Sequence, residues 1–208
     1  MHASDSPLHF LLAAIAGYAF GSIPFGLVIT RLAGLGDIRQ IGSGNIGATN
    51  VLRTGRKDLA LATLVLDAGK AGIAAFVISR IFGFHPGLVA GAAAFAGHCY
   101  PVWLGFKGGK GVATFLGMLL GILWQCALAF AVCWLAIAAI FRYSSLAALT
   151  TAAILPVVAW FVTRDPFAVS IIAALSALLF YRHRENISRL LKGTETRIGA
   201  KKAQSQTS

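Results

Sequence analysis

The chain has 208 residues, 57% of them hydrophobic and only 12% charged, and its eighteen Lys and Arg outnumber its seven Asp and Glu to give a formal charge of +11. A soluble domain carries about 25% charged residues, and so few charges cannot cover the large surface of so small a globule. With a mean hydropathy of +0.76, the composition excludes a soluble enzyme, a disulfide scaffold and a disordered tail, and it requires lipid as a second solvent. The positive balance asks for an anionic partner. In so apolar a chain, membrane orientation and a phosphate-bearing substrate answer it better than nucleic acid.

Stretches free of Asp, Glu, Lys and Arg cover 6–30, 81–106, 111–141, 143–163 and 166–181, and 59–79 is broken only by Asp67 and Lys70. A span takes about 20 mostly apolar residues. The first stretch has no basic residue before it and Arg31 after it, so it reads as an uncleaved span rather than a signal peptide. Pro24 should kink it, and Gly17, Gly21 and Gly26 permit close helix packing. The stretch 111–141 would make about 46 Å of helix, too long for one perpendicular crossing. A break near Trp124–Gln125 divides it into two short helices. The last stretch is slightly short and extends to Tyr181 or Arg182 by snorkelling.

Charge chooses between one and two spans over 111–141. With two, there are seven spans, the N-terminus lies outside, and fifteen of the eighteen basic residues fall in cytoplasmic segments. With one, Arg142 and the seven basic residues from Arg182 onward would face outward. We therefore expect an all-α integral membrane protein with about seven transmembrane helices, N-terminus outside and C-terminus cytoplasmic. It should form a single polytopic domain over 1–208, with a frayed polar cytoplasmic tail from about 193. Cys99, Cys126 and Cys133 lie in apolar runs with no CxxC and read as packing residues.

The densest unusual segment is Gly42-Ser43-Gly44-Asn45-Ile46-Gly47-Ala48-Thr49-Asn50-Val51-Leu52-Arg53. It contains GxGxxG, but that fingerprint needs a strand before it, and this loop joins two spans. It also resembles a P-loop whose required lysine is Ala48, which disfavours a nucleotide-binding NTPase. What both motifs share remains: glycines let backbone N–H groups converge on an anion ahead of a helix start. Ser43, Asn45, Thr49 and Asn50 add neutral donors, and Arg53 adds a bidentate cation suited to phosphate.

A second segment, from Gly97 to Thr114, ends a span with aromatics and then sets Lys107 and Lys110 among Gly108, Gly109 and Gly111, a second candidate anion nest. A third, Tyr181-Arg182-His183-Arg184-Glu185-Asn186-Ile187-Ser188-Arg189, is a juxtamembrane basic helix. In it His183 and Asn186 share a face, and Glu185 could pair with Arg182 or Arg189. Asp67 and Lys70 are i,i+3 at membrane depth, where charge is costly; we expect a pair that positions segment 42–53. All three motif segments fall on the cytoplasmic side of the seven-span topology, forming one site at the membrane surface.

These segments, together with Gly21-Ser22-Ile23-Pro24-Phe25-Gly26, Gly97–Thr114 and His183-Arg184-Glu185-Asn186-Ile187, resemble the bacterial acyl-phosphate-dependent glycerol-3-phosphate acyltransferase family over about residues 10–192. The resemblance implies a small seven-helix protein of the bacterial inner membrane, multi-pass, with its active site facing the cytoplasm. It implies acyl transfer from acyl phosphate to the 1-hydroxyl of sn-glycerol 3-phosphate, giving lysophosphatidic acid and phosphate in phospholipid biosynthesis. Other glycerophosphate acyltransferases use a His-x4-Asp base dyad. No histidine here has Asp at its fifth following position. Acyl phosphate is already an activated anhydride, so the protein has chiefly to bind two phosphates and align them.

We assign Ser43, Arg53, Lys110, His183 and Asn186 as catalytic candidates. Gly42, Ser43, Gly44, Asn45, Gly47, Thr49, Asn50, Arg53, Lys107, Gly108, Gly109 and Lys110 are the phosphate-binding candidates. Which phosphate takes which nest stays open, as does the choice between a donor phosphate oxygen and His183 as proton acceptor. Five scattered histidines and few carboxylates make no metal-ligand cluster, so we expect neither metal nor cofactor. The expected partners are the two substrates and membrane lipid, with no nucleic acid and no protein partner. Two other function classes compete: a transporter of a phosphorylated anion and a non-catalytic binder of anionic lipid. The first would place its ligands near the midplane; the second leaves the two glycine nests unexplained.

Overall fold

The computed structural model describes residues 6–199. Among them all regular structure is helical. The first apolar stretch forms α1 (Pro7–Gly21) and α2 (Phe25–Leu32), broken at Pro24. Proline has no N–H to donate and crowds the preceding turn, so the break falls where the sequence demands it. After a loop come α3 (Ala48–Val51), α4 (Lys57–Phe82) and α5 (Phe84–Cys99). The long stretch divides into α6 (Val112–Ile122) and α7 (Trp124–Phe141). The chain ends in α8 (Ser144–Thr163), α9 (Pro166–Arg182) and α10 (Arg184–Leu191). Asp165 caps α9 by accepting from the Phe167 N–H at 2.8 Å, and Pro166 occupies the first turn, where no donor is missed.

Five helical stretches are long and apolar enough to cross a bilayer: Pro7–Leu32 taken through its break, α4, Phe84–Leu104, α7 and α8. At 17 residues α9 falls just short, and the chain bends by 60° between it and α10. The division of 111–141 comes at Leu123, and it is unequal: α6 has 11 residues and α7 has 18, so only the first half is short. Counting the bent α9–α10 pair as one span gives six such helices among the described residues, with the shorter α6 between them, and the helix ends gather at two ends of the bundle. At one end His9 of α1 stacks on Phe82 of α4, and His85 of α5 meets Asp165 before α9 at 2.8 Å. At the other end the three motif segments converge.

Two observations identify lipid as the solvent of the outer wall. Large apolar side chains are exposed along whole helices, among them Leu11 and Ile15 of α1, Val65, Ile73 and Phe76 of α4, Leu128, Val132 and Leu135 of α7, and Val157 and Phe161 of α8. The interior, by contrast, is rich in small residues that let backbones touch. A methyl group placed on Gly21 would overlap the Ala94 carbonyl of α5, and one on Gly117 of α6 would overlap the Ala68 carbonyl of α4. A second stripe of larger side chains, Phe95, Phe115, Phe130 and Met118, fills the centre between α5, α6 and α7.

The expected frayed tail needs correction for the residues described. Segment 194–198 folds back on the bundle, because Glu195 has three partners on it: Ser145 of α8, and Asn186 and Arg189 of α10. The Ile198 N–H also donates to the Arg142 carbonyl at 2.7 Å. The rest of the tail expected from sequence, 200–208, lies outside the described residues.

Candidate active site

Segment 42–53 is a turn followed by the four-residue α3. Gly42 and Gly44 take φ of +59° and +69°, the left-handed region that a side chain would strain. Asn50 is buried and organises this turn from within. Its side-chain nitrogen lies within 3.0 Å of the carbonyls of Ile38, Ile41 and Asn45, and its oxygen accepts from the Ser43 N–H at 3.0 Å. Asn45 braces the next turn by accepting from the Gly47 N–H at 3.3 Å. The Thr49 hydroxyl lies 3.4 Å from that of Ser144, tying the loop to α8. Ser43 and Arg53 are left on the open side, and the Arg53 guanidinium makes a long contact with Asn50 at 3.5 Å.

Segment 108–110 is held from two sides. The N–H groups of Gly108 and Gly109 donate to the Cys99 and His98 carbonyls at 3.1 and 3.0 Å, which hooks the loop onto the end of α5. Opposite, Arg182 donates to the Gly109 and Gly108 carbonyls at 3.0 and 2.9 Å and lies over the Tyr100 ring. Arg182 therefore shapes the glycine loop, a role that its place in a basic juxtamembrane helix did not announce. The loop delivers the Lys110 ammonium to the Asn186 side-chain oxygen, and the Asn186 nitrogen donates to Glu195 at 2.6 Å. Lys107 is exposed on the outer rim.

Electrostatics follow from this crowding. Burial, with Arg189 and Arg182 close by, pulls the Lys110 pKa down to about 8. Burial also lowers His183, to about 4, so the ring is neutral. Its Nδ1 sits 2.8 Å from the Leu179 carbonyl and must be the donor there, which leaves Nε2 as a proton acceptor. Burial works to raise the Glu195 carboxyl, but hydrogen bonds from Asn186, Ser145 and Arg189 outweigh it and hold the group below its usual range.

Two adjoining clefts open between the segments. One, about 130 Å³, has Ser43, Gly44 and Asn45 on one wall, Gly108 and Lys110 on another, and Arg182, Arg184 and Glu185 on the third. Its neighbour, about 170 Å³, is lined by Gly42, Ser43, Arg53, Arg189, Glu195 and Thr196. Ser43 borders both. The structure thus brings Ser43, Gly44, Asn45, Arg53, Gly108 and Lys110 to open clefts, with Asn186 joined to Lys110. Asn50, Gly47, Thr49 and Gly109 support the walls, and His183 is buried at the head of α10. Arg189 pairs with Glu195 at 2.7 Å rather than with Glu185. No group of three or more His, Cys, Asp and Glu among the described residues could hold a metal ion.

The sequence model of the glycerol-3-phosphate acyltransferase family matches residues 11–193. The chain belongs to this family. It is 64% identical over 194 residues to a glycerol-3-phosphate acyltransferase of Maricaulis maris, covering 93% of this chain and 89% of that protein. A counterpart from Mesorhizobium japonicum is 61% identical over 191 residues, covering 92% and 97%. A crystal structure of PlsY (YgiH), an integral membrane glycerol 3-phosphate acyltransferase, in its glycerol 3-phosphate form superposes with a TM-score of 0.87 at 41% identity. That match covers 91% of this chain and 96% of the other. The lysophosphatidic acid form of the same protein gives a TM-score of 0.85 at 40% identity. The protein is an integral membrane acyltransferase, and the transporter and lipid-binder readings fall away.

Proposed function

We propose that this acyltransferase takes its acyl group from acyl phosphate and transfers it to the 1-hydroxyl of sn-glycerol 3-phosphate. The observation that carries the proposal is the pair of adjoining clefts divided by Ser43, each with its own cations: Lys110, Arg182 and Arg184 in one, Arg53 and Arg189 in the other. Two phosphorylated substrates need two anion sites a few ångströms apart, whereas a thioester donor carries no phosphate on its reacting carbonyl. The acceptor hydroxyl oxygen bonds to the acyl carbonyl carbon, the carbon–oxygen bond to the donor phosphate breaks, and phosphate leaves with the proton. Lysophosphatidic acid and inorganic phosphate result.

Alignment and charge supply the catalysis. Ser43, Arg53 and Lys110 hold phosphate oxygens, and Asn186 fixes the Lys110 ammonium. Asn50 and Gly47 keep the first loop in shape, and Lys107, on the rim, attracts anions from a distance. A buried neutral His183 with a pKa of about 4 is a weak base, so a donor phosphate oxygen takes the proton. His183→Gln should lower the rate and leave the pH profile of kcat/KM intact; a lost ionisation would restore the histidine as base. The site faces the cytoplasm of the bacterial inner membrane, the side on which the positive-inside rule puts most of the basic residues.

The deciding experiment offers labelled glycerol 3-phosphate to the purified protein with palmitoyl phosphate, palmitoyl-CoA or palmitoyl acyl carrier protein. Labelled lysophosphatidic acid should form with palmitoyl phosphate alone. Equal turnover of either thioester would overturn the donor assignment.

A further inference from the structure

The Asp67–Lys70 pair does not touch segment 42–53, contrary to the expectation from sequence. The Lys70 ammonium donates to Asp67 Oδ1 at 2.9 Å, to the Ile23 carbonyl at 2.8 Å and to His98 Nδ1 at 3.0 Å. Lys70 and Asp67 are each 2% exposed and His98 is 4% exposed. Three helices meet there: α4 supplies the pair, the break between α1 and α2 supplies the carbonyl, and α5 supplies the histidine. A buried ion pair is weak as a stabilising device, since apolar residues of the same volume pack as well or better. Its presence at membrane depth calls for a different explanation.

His98 Nδ1 lies 3.0 Å from the Lys70 ammonium and 3.5 Å from Asp67 Oδ1. An ammonium has only donors, so beside a charged Lys70 we assign Nδ1 as the acceptor and the ring proton to Nε2. The Nε2 edge lies under Gly109, where an added methyl group would overlap the ring. The His98 backbone carbonyl meanwhile accepts from the Gly109 N–H. The same residue therefore holds the glycine loop twice, by its main chain and by its ring, and the ring is itself held by Lys70.

We infer that His98 is a positioning residue for acyl transfer: the Asp67–Lys70 pair locks its ring beneath Gly109 and so sets the height and direction of the Gly108–Lys110 phosphate cradle. The inference rests on reading that loop as a phosphate cradle. His98 acts on substrate through the loop, so its removal loosens one phosphate site and spares the other. His98→Asn keeps an acceptor for Lys70 and removes the ring from beneath Gly109.

The test measures kcat and both KM values of purified His98→Asn, with palmitoyl phosphate and glycerol 3-phosphate varied in turn. One KM should rise about tenfold or more, the scale of a small misplacement at a reacting centre, and the other should stay within twofold. Asp67→Asn, nearly isosteric, is the second variant should His98→Asn not accumulate; it releases Lys70 and should raise the same KM. Loss of Vmax with both KM values unchanged would show a packing role alone and overturn the inference, as would equal rises in both or wild-type kinetics. Lys110→Ala, run alongside, separates the two levels. If it raises one KM and His98→Asn does not, the positioning role fails alone; if it raises neither, the cradle fails and the inference with it.

Discussion

Single side chains at this site are tuned by their neighbours, and two of them give sharp expectations. Arg53 reaches the second cleft just beyond α3, and among the described residues its hydrogen bond is a 3.5 Å contact to Asn50. Its charge is free to spend on substrate. Arg53→Ala should cost about 2 kcal/mol of binding, or roughly a thirtyfold rise in KM for one phosphorylated substrate; steady-state kinetics with each substrate varied checks this. Lys110 ionises near pH 8 instead of its ordinary 10.5. In the proposed site the protonated form binds phosphate, so kcat/KM should fall as pH rises through about 8. Lys110→Arg stays charged over this range and should lose that descending limb, even if its KM is higher. The placement of several of these residues at the clefts was legible in advance. Ser43, Arg53, Lys110 and Asn186 stand out because glycine surrounds them or because they share a helix face. Asn50 shows the limit: an amide among glycines has the same signature whether it faces a ligand or turns inward to carbonyls.

Elements add what spacing alone could not supply. The motif carried by α9 and α10 was visible as a run of basic residues, but its partner, segment 194–198, was not. Nothing in a polar stretch of Thr, Glu and Arg announces that Glu195 will find Ser145, Asn186 and Arg189 from three directions. That knowledge needs the fold, since Ser145 is fifty residues away in sequence. The carboxyl is held below its usual 4.5 in the folded chain, so its contribution is present above that value and fades as pH falls through the lower, folded one. Glu195→Gln should therefore lower the thermal unfolding midpoint at pH 7, and the difference from wild type should vanish in acid. It should also lower kcat, because Asn186 loses a charged acceptor; unfolding curves and turnover on one preparation check both. A helix boundary was legible where chemistry punctuates it, as at Pro24. The division at Leu123 was found within a residue or two by length and charge, and its lopsidedness was not, because periodicity is uninformative in a helix that is apolar all round.

For the molecule as a whole, the contacts already describe two faces. Thr49 with Ser144, Ser145 with Glu195, and Lys110 with Asn186 gather one set of helix ends. His9 with Phe82 and His85 with Asp165 gather the other. A membrane-impermeant thiol reagent can assign these faces to compartments. Lys107 and Arg164 are both exposed and belong to opposite ends. In intact spheroplasts of a strain carrying the protein without its native cysteines, Arg164→Cys should label at once, and Lys107→Cys only after permeabilisation. The reverse pattern would invert the proposed orientation.

The shortness of α6 has a consequence for how the two substrates meet. Eleven residues rise about 16 Å, roughly half of a hydrocarbon core of about 30 Å. The loop feeding α6 is drawn inward to the end of α5 by its hydrogen bonds to His98 and Cys99. We expect the proposed anion cradle to lie recessed below the headgroups instead of riding above them. A fatty tail can remain dissolved among lipid chains while its reactive head enters the recess sideways, and a water-borne polyol phosphate can descend from above. With the proposed substrates, the stunted helix would make the protein a step in the bilayer profile, a place where an oil-soluble and a water-soluble reactant share one depth without either leaving its own phase.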